Sequence, residues 1–244
     1  MKTASNKLTA RVAGLLYLIV VLTGIFGLAY LPSKLIIWNN SSATFHNIVS
    51  SELLFQLGIV SELICWVLFL ILPLVLYKLL CPVNKTYAIL MVILAVVQVP
   101  ISFINLLNKF AVLSLVSGAN YLKAVANEQL QAQVLFYLDL YNKGNLINQI
   151  FWGLWLFPFG YLVFKSKFLP KILGIFLMAG CFGYLIDFVG SFFLPHYNET
   201  IISSYITLPA SIGEIGICLW LLVIGVKNKA TAGSGNIAND RQII

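Results

Sequence analysis

The chain has 244 residues, of which 60% are hydrophobic and 9% are charged. Soluble domains contain about 45–50% apolar and about 25% charged residues, and a fold of this length buries too little surface to hide so apolar a chain. The composition therefore excludes an ordinary soluble domain and predicts an integral membrane protein. The net charge of +7 has to be located along the chain before it indicates any partner.

Six apolar segments are long enough to cross a membrane. A helix that rises 1.5 Å per residue needs about 20 apolar residues to cross a hydrocarbon core of about 30 Å. The apolar runs are continuous and do not alternate with a period of two, so we expect helices and not strands. The predicted spans are residues 10–31, 53–80, 87–116, 132–164, 171–194 and 206–226. The predicted fold class is an all-α, polytopic membrane bundle of six transmembrane helices. It forms a single domain over residues 1–226, followed by a flexible cytoplasmic tail over residues 227–244.

Three prolines stand where spans are expected to end. Proline lacks the backbone N–H that a helix interior needs, and its ring clashes with the preceding turn. We therefore expect the first, second and fifth helices to stop at Pro32, Pro82 and Pro195.

The basic residues predict the orientation of the spans. Eleven of the 15 flank span ends on one side of the membrane, whereas Lys34 and Lys123 flank the other. Cytoplasmic loops carry an excess of Lys and Arg, so both termini are predicted to be cytoplasmic. The lipid bilayer is the expected partner, and nucleic acid is not supported. The eleven residues are Lys2, Lys7, Arg11, Lys78, Lys85, Lys165, Lys167, Lys171, Lys227, Lys229 and Arg241.

Familiar catalytic and metal-binding motifs are missing from the sequence. The four cysteines form no CxxC pair, and the two histidines, His46 and His196, fall in predicted outer loops. The sequence has no zinc ligand set, no phosphate-binding glycine loop and no G-x-S-x-G nucleophile elbow. We therefore expect no metal and no cofactor, and a histidine-dependent intramembrane hydrolase is disfavoured.

Six ionisable residues lie inside the predicted spans, all in the outer half. Six unpaired charges would cost roughly 15–20 kcal/mol to bury, which matches or exceeds the net stability of a typical protein. They must therefore pair, become neutral or reach water. The six residues are Glu62, Lys109, Asp139, Lys143, Asp187 and Glu214.

Polar and small residues follow the same helix faces as these charges. On the third span, for example, Gln98, Ser102, Asn105 and Lys109 recur at intervals of three and four residues. On the fifth, Gly180 belongs to a stripe of small residues that favours close helix packing. We expect the polar faces of these helices to point at one another in the bundle. They would then line a hydrated cavity that opens outward. Its predicted ligand-binding residues are Glu214, Asp187, Glu62, Lys109, Asn105, Asn108, Asp139 and Lys143.

A purely structural role is the alternative for these charges. Asp139 and Lys143 are four residues apart on one helix, which favours a structural ion pair. For Glu62 and Lys109 the structural and functional interpretations stay equally open. Glu214 carries the functional hypothesis together with Asp187, since two of the four acids lack a basic counterpart. Trp152 and Trp155 are interpreted as packing or interface residues and not as a ligand cage.

Several segments resemble a known membrane-protein family. They are KLTARVAGLLYL (7–18), LLFQLGIVSEL (53–63), KLLCPVNK (78–85), LSLVSGANYL (113–122), FLPKILG (168–174) and GYLID (183–187). In this order they resemble the family known as domain of unknown function 4386. The resemblance implies a bacterial multi-pass inner-membrane protein and supplies no activity.

Three classes of function remain open at this point. The leading hypothesis is that the cavity binds, or also moves across the membrane, a small polar solute, an ion or a proton. The second is an intramembrane enzyme that acts on a lipid or envelope substrate, with carboxylates as general acid and base. The third is a non-catalytic sensor or partner subunit. The sequence favours a protein that is not an enzyme.

Overall fold

The computed structural model describes residues 2–226, with side chains from residue 6 onward. Within this range the chain is helical and has no strand. The α-helices are α1 (Lys2–Gly24), α2 (Leu31–Leu35), α3 (Ser41–Ser50), α4 (Glu52–Leu80), α5 (Lys85–Val116), α6 (Asn127–Lys165), α7 (Lys171–Phe193), α8 (Ile201–Tyr205) and α9 (Leu208–Val223). The tail predicted for residues 227–244 lies outside the described residues.

Six stretches of this helical chain are long and apolar enough to cross a membrane, which confirms the sequence prediction. The first crossing runs over Asn6–Leu35 and the last over Ile201–Val223. The four between them are α4, α5, α6 and α7. The longest helix is α6, which with 39 residues is longer than a simple crossing needs.

The first crossing contains the main departure from the predicted helix ends. The helix was expected to stop at Pro32, but it continues to Leu35. Between α1 and α2 the backbone forms a π-helix over Ile25–Tyr30, whose turns are wider than those of an α-helix. Pro32 then falls in the first turn of α2, where its missing N–H has no intrahelical partner to lose. Pro82 and Pro195, in contrast, follow the ends of α4 and α7 as predicted.

The six crossings form a closed ring. Helix α1 packs against α4 and α9, α4 against α5, α5 against α6, α6 against α7, and α7 against α9. Consecutive crossings are therefore neighbours, and the last crossing returns to the first. This arrangement gives the ring a centre that side chains from every crossing can reach.

Glycines allow close contact at two of these helix pairs. An added Cβ at Gly14 of α1 would overlap the backbone of Leu222, and one at Gly180 of α7 would overlap the backbone of Ala210. Small residues therefore set the separation of α1 from α9 and of α7 from α9. The prediction that Gly180 allows a neighbouring backbone to approach closely is confirmed.

The ring order of the crossings places particular helix ends together at each end of the bundle. At one end of the bundle, Gly225 lies beside Lys7. At the same end, the connection between α4 and α5 faces the end of α6, where Asn84 and Lys165 line a common depression. At the other end, a smaller apolar core joins α2 and α3 to the beginning of α4, the end of α5 and the first part of α6. Many of the predicted cytoplasmic basic residues thus share one end of the bundle.

Candidate functional site

The structure does not gather the eight predicted site residues into one cavity. They occupy four separate places, each with its own partners, and this corrects the expectation of a single outward-facing vestibule. Glu62 and Lys109 belong to a buried cluster that includes Asn105 and Asn108. Asp139 and Lys143 form a second group, Asp187 a third and Glu214 a fourth.

Glu62 and Lys109 form a buried ion pair between α4 and α5. Each side chain is only 1% exposed, and the Lys109 ammonium donates to Oε1 of Glu62. The Tyr141 hydroxyl donates to the other carboxylate oxygen. Lys109 Nζ also lies 4.2 Å from the centre of the Tyr141 ring and 3.4 Å from the carbonyl oxygen of Gly27. Because both charges are neutralised by neighbouring groups, the geometry favours the structural interpretation of this pair.

An amide network continues from this cluster along the α5–α6 contact. Nδ2 of Asn105 donates to the carbonyl oxygen of Tyr141 at 2.9 Å and to Oδ1 of Asn145 at 3.0 Å. One turn further, Nδ2 of Asn148 donates to Oγ of Ser102 at 2.9 Å. Nδ2 of Asn108 donates to the carbonyl oxygen of Asn105 at 3.1 Å. The predicted polar face of α5 therefore exists, and its part from Ser102 to Asn108 joins α5 to α6 instead of lining a cavity.

Asp139 and Lys143 lie on the exposed side of α6. Their charged atoms are 3.9 Å apart and their side chains are 53% and 65% exposed, respectively. An exposed pair at this spacing contributes little to stability. The structural interpretation that the sequence favours for this pair agrees with its position.

Asp187 is half-buried between α6, α7 and the following loop. Oδ2 of Asp187 accepts a hydrogen bond of 3.1 Å from Nε2 of Gln149. Tyr197 packs against Gly190 one turn away. Burial and the neighbouring Asp187 carboxylate raise the pKa of the Tyr197 phenol, so this phenol keeps its proton. Asp187 therefore has an amide partner and lies beside the cavity without lining it.

Glu214 lines the cavity at the centre of the ring. Its Oε1 accepts a hydrogen bond of 2.9 Å from the hydroxyl of Tyr17. The cavity has a volume of about 300 Å³ and is lined by residues from all six crossings. No other acidic side chain and no basic side chain is part of this lining. Glu214 is thus a solitary carboxylate in an otherwise uncharged cavity.

Six aromatic rings of the cavity lining form a continuous series of contacts. Neighbouring ring centres in this series are 5.2–6.3 Å apart. The two terminal rings, Tyr17 and Tyr184, both lie near Glu214, so the carboxylate closes the series into a loop. In order, the rings are Tyr17, Trp155, Phe69, Trp66, Trp152 and Tyr184.

The wall formed by α5 and α6 carries unpaired polar groups. Gln98 is fully buried, lines the cavity, and has no hydrogen-bond partner at either its Oε1 or its Nε2 atom. The indole N–H of Trp152, which also lines the cavity, has none either. A buried polar group without a partner costs free energy, so such groups at a cavity wall indicate a missing hydrogen-bonding partner. Water or a ligand can fill that place.

The cavity opens sideways between the first crossing and α9. The exposed residues of its lining are Ile25 on the first crossing and Ser211 and Ile215 on α9. Every other lining residue is buried or half-buried. These three residues lie in segments that are apolar enough to cross a membrane, so the opening faces the region that lipid occupies.

A second cavity, of about 460 Å³, lies at the end of the bundle that carries many of the basic residues. Pro82, Asn84 and Lys165 are part of its lining. It contains no carboxylate, and none of its lining residues has a buried polar atom without a partner. The ring-centre cavity is therefore the stronger candidate for a site.

Sequence reasoning found Glu214 but missed most of its surroundings. Trp152 and Trp155 were interpreted as packing residues, whereas the structure places both in the cavity lining. Gln98 was recognised as part of a polar face through its spacing from Ser102. No signal in the sequence linked Tyr17 to Glu214, because nothing in the spans predicts which helices become neighbours. Among the described residues, no group of three His, Cys, Asp or Glu side chains could hold a metal ion.

Comparison with known proteins gives the family of this chain. The family described as "Domain of unknown function (DUF4386)" matches residues 12–225. The chain belongs to the DUF4386 family. This match covers all six crossings from Val12 to Gly225 and confirms the resemblance seen in the sequence.

One relative of this DUF4386 protein is a protein from Archaeoglobus fulgidus whose name is "Uncharacterized protein". It is 32% identical over 81 residues, which are 33% of this chain and 46% of the relative. The chain therefore spans less than half of the length of that relative. No solved structure matches the chain.

Proposed function

We propose that this DUF4386 protein binds a small molecule that enters the ring-centre cavity from the membrane. The observation that carries the proposal is the cavity itself, with Glu214 and the unpartnered Gln98 in a mainly apolar wall that contains six aromatic rings. Small-molecule sites combine an apolar lining with a few polar groups that orient the ligand. At about 300 Å³, this cavity falls at the lower end of the usual size range of such sites.

The aromatic rings of the lining and the sideways opening favour a class of ligand other than the small polar solute, ion or proton expected from the sequence. A strongly hydrated ion would lose its water in such a cavity and find one carboxylate and one amide in return, which is a poor exchange. An amphiphilic molecule keeps its apolar part against the aromatic rings and presents one polar group to Glu214. The proposal is therefore binding of a membrane-dissolved amphiphile, and transport of that molecule is not part of it.

The two other classes of function fit the site less well. An acid–base enzyme needs a general acid and a general base near the same bond, and the lining offers one carboxylate. A tightly packed partner subunit would have no cavity and no buried amide without a hydrogen-bond partner. The ring centre contains a cavity, and the Gln98 amide in its wall has no partner. Binding is the function that uses the most features of the site.

The proposed location is a plasma membrane with both termini on the cytoplasmic side. The excess of Lys and Arg on one side supports this orientation. If it is correct, the ring-centre cavity lies near the middle of the bilayer, because Glu214 is about 14 Å from the end of α9 at Val223, which is close to half of a hydrocarbon core of about 30 Å.

Photolabelling tests whether the cavity takes up membrane-dissolved molecules. The probe is 3-(trifluoromethyl)-3-(m-iodophenyl)diazirine, a neutral aryl compound that dissolves in lipid and reacts on illumination. The full-length protein in vesicles is labelled, and mass spectrometry assigns the labelled peptides. We expect saturable labelling of cavity residues such as Trp152, in addition to non-saturable labelling of the lipid-facing surface.

Two isoleucines on α9 provide a test variant and its matched control. Ile215 is 44% exposed and lines the cavity opening, whereas Ile212 is 48% exposed and does not line it. Ile215→Trp narrows the opening and should abolish the saturable labelling. Ile212→Trp adds the same side chain to the same helix and should leave it unchanged. The proposal fails if labelling of cavity residues is absent, or if it is equal in the two variants.

A further inference from the structure

We propose that the molecule bound at the ring centre is an organic cation, a tertiary amine in its protonated form or a quaternary ammonium compound. This inference rests on the proposed function, because it names the class of ligand that the same cavity takes. The positive head would lie between the Glu214 carboxylate and the aromatic rings, and the apolar remainder would extend toward the opening. Three independent features of the cavity support it.

The charge balance of the cavity is the first feature. Glu214 is a single acid with no basic side chain in the surrounding lining, and its described hydrogen bond comes from a neutral phenol. The other intramembrane acids differ in this respect, since Glu62 is neutralised by Lys109. An isolated carboxylate in a low-dielectric cavity is stabilised by a cationic partner. A ligand that carries one positive charge supplies that partner.

The loop of aromatic rings is the second feature. A cation above the face of Trp or Tyr is attracted by the ring quadrupole, and the attraction is stronger where water is excluded. Quaternary ammonium groups are recognised by cages of such rings because they cannot donate hydrogen bonds. Here Trp66, Trp152 and Trp155 all line one cavity, with Tyr17 and Tyr184 next to the carboxylate. A methylated ammonium group would use these rings, whereas a metal ion would not.

The unpartnered amide of Gln98 is the third feature. It belongs to α5, on a wall that the aromatic series does not include, and both of its polar atoms lack partners. Its carbonyl oxygen can accept the N–H of a protonated tertiary amine, or face a quaternary ammonium group as a dipole. In either case a cation satisfies the buried acceptor that the protein leaves open.

The opening between the first crossing and α9 fits the rest of such a ligand. Its exposed residues are Ile25, Ser211 and Ile215, which form an apolar passage with a single hydroxyl. An amphiphilic cation could therefore reach Glu214 while its apolar part remains in contact with lipid-facing side chains. This geometry favours amines that partition into membranes over small, fully hydrated amines.

The test compares two molecules of the same shape that differ in charge. Benzyltrimethylammonium and neopentylbenzene differ by nitrogen in place of one carbon, so the first is a cation and the second is neutral. Each competes with the diazirine probe for the cavity of the full-length protein in detergent micelles, at known concentrations in the detergent phase. Half-maximal protection of the cavity residues from labelling is the measured quantity. In the wild-type protein we expect the cation to reach it at a concentration at least about tenfold lower than the concentration that neopentylbenzene needs.

Substitutions at Glu214 separate the charge effect from the shape effect. Glu214→Gln keeps the side-chain shape, and we expect it to reduce the preference for the cation to about twofold or less. Trp152→Leu keeps the acid but removes one aromatic face, and it should weaken cation protection by about threefold or more. This second variant keeps the test decisive if Glu214→Gln does not fold. Ile212→Trp, outside the cavity, should retain the full preference.

The outcomes distinguish this inference from the proposed function. Equal protection by the two molecules, with cavity labelling intact, overturns the cation inference and leaves binding in place. A preference that survives both Glu214→Gln and Trp152→Leu also overturns it. Absence of any cavity labelling overturns the proposed function and, with it, the inference.

Discussion

The hydroxyl of Tyr17 donates a hydrogen bond of 2.9 Å to Oε1 of Glu214, although the two residues are 197 positions apart in the chain. This bond joins the first crossing to the last and lies where the ring of helices closes. It also holds the carboxylate at the wall of the central cavity, next to the opening between the same two helices. The position of the acid is therefore set by the closure of the ring.

Removal of the Tyr17 hydroxyl should cost stability. Tyr17→Phe deletes the donor but keeps the ring, so we expect the free energy of unfolding to fall by about 1 kcal/mol. Unfolding of the purified protein by sodium dodecyl sulfate measures this change. Tyr121→Phe is the matched control, because Tyr121 is 70% exposed in a loop and should lose almost nothing. Equal effects of the two changes would show that the bond to Glu214 contributes nothing.

Loss of one partner from the buried Glu62–Lys109 pair should be far more damaging. Lys109→Met leaves the Glu62 carboxylate buried without its counter-charge, and we expect a loss of about 3–5 kcal/mol in unfolding free energy. The double variant Glu62→Gln with Lys109→Met removes both charges and should recover at least about 1 kcal/mol of that loss. The same unfolding assay measures this difference.

The exposed pair on α6 provides the control for the buried one. Lys143→Met removes the partner of Asp139, but the Asp139 carboxylate stays exposed to solvent. The free energy of unfolding should therefore fall by less than about 1 kcal/mol. The buried pair does not have the structural role assigned to it if Lys109→Met lowers the free energy of unfolding as little as Lys143→Met does. The same holds if the loss in the double variant equals the sum of the losses in the two single variants.

Two glycines of the first crossing should respond differently to an added methyl group. A Cβ at Gly27 would overlap the side chain of Glu62, which is held in place by Lys109 and Tyr141. A Cβ at Gly24 would have Sγ of Cys65 as its nearest neighbour, at an ordinary distance of 3.6 Å.

Gly27→Ala is therefore expected to destabilise the protein by about 1–3 kcal/mol through overpacking. Gly24→Ala should be neutral or stabilising by up to about 1 kcal/mol, since its backbone is helical and alanine favours helices. Thermal unfolding of the two variants in detergent measures the comparison. A tolerated Gly27→Ala would mean that Glu62 is free to move.

The predicted orientation can be tested with single cysteines in a variant that lacks the natural ones. Thr86→Cys lies at the predicted cytoplasmic start of α5, and Lys123→Cys lies in the predicted outer loop before α6. A maleimide that cannot cross membranes should label only Lys123→Cys in intact cells. The opposite pattern of labelling would place the termini outside.

The sequence predicted the six apolar helices well, because continuous apolar length is a property of each segment alone. The ends of α4 and α5 fall within two residues of the predictions. The first crossing differed because Pro32 was treated as a helix end. No sequence pattern indicates the π-helix that precedes Pro32 and is followed by a new α-helical turn at that proline.

The site could be predicted only in part, for a different reason. Polar residues at helical spacing revealed which face of α5 is buried, but spacing does not tell which helix that face meets. The pairing of Glu62 with Lys109 and of Glu214 with Tyr17 depends on the ring order of the helices. The aromatic series likewise draws its rings from four crossings, so no local pattern could reveal it.

The location of a bound cation is the most direct test of the central claim that the ring centre is a ligand site. Crystals of the full-length protein soaked with 4-bromobenzyltrimethylammonium can be measured at the bromine absorption edge. We predict one anomalous bromine peak in the part of the cavity near the opening, close to Ile25 and Ile215, with the density of the ammonium group beside Glu214 and Trp152. Both should be lost in Ile215→Trp. A cavity without a peak, or a peak confined to the depression near Pro82 and Lys165, would contradict the account.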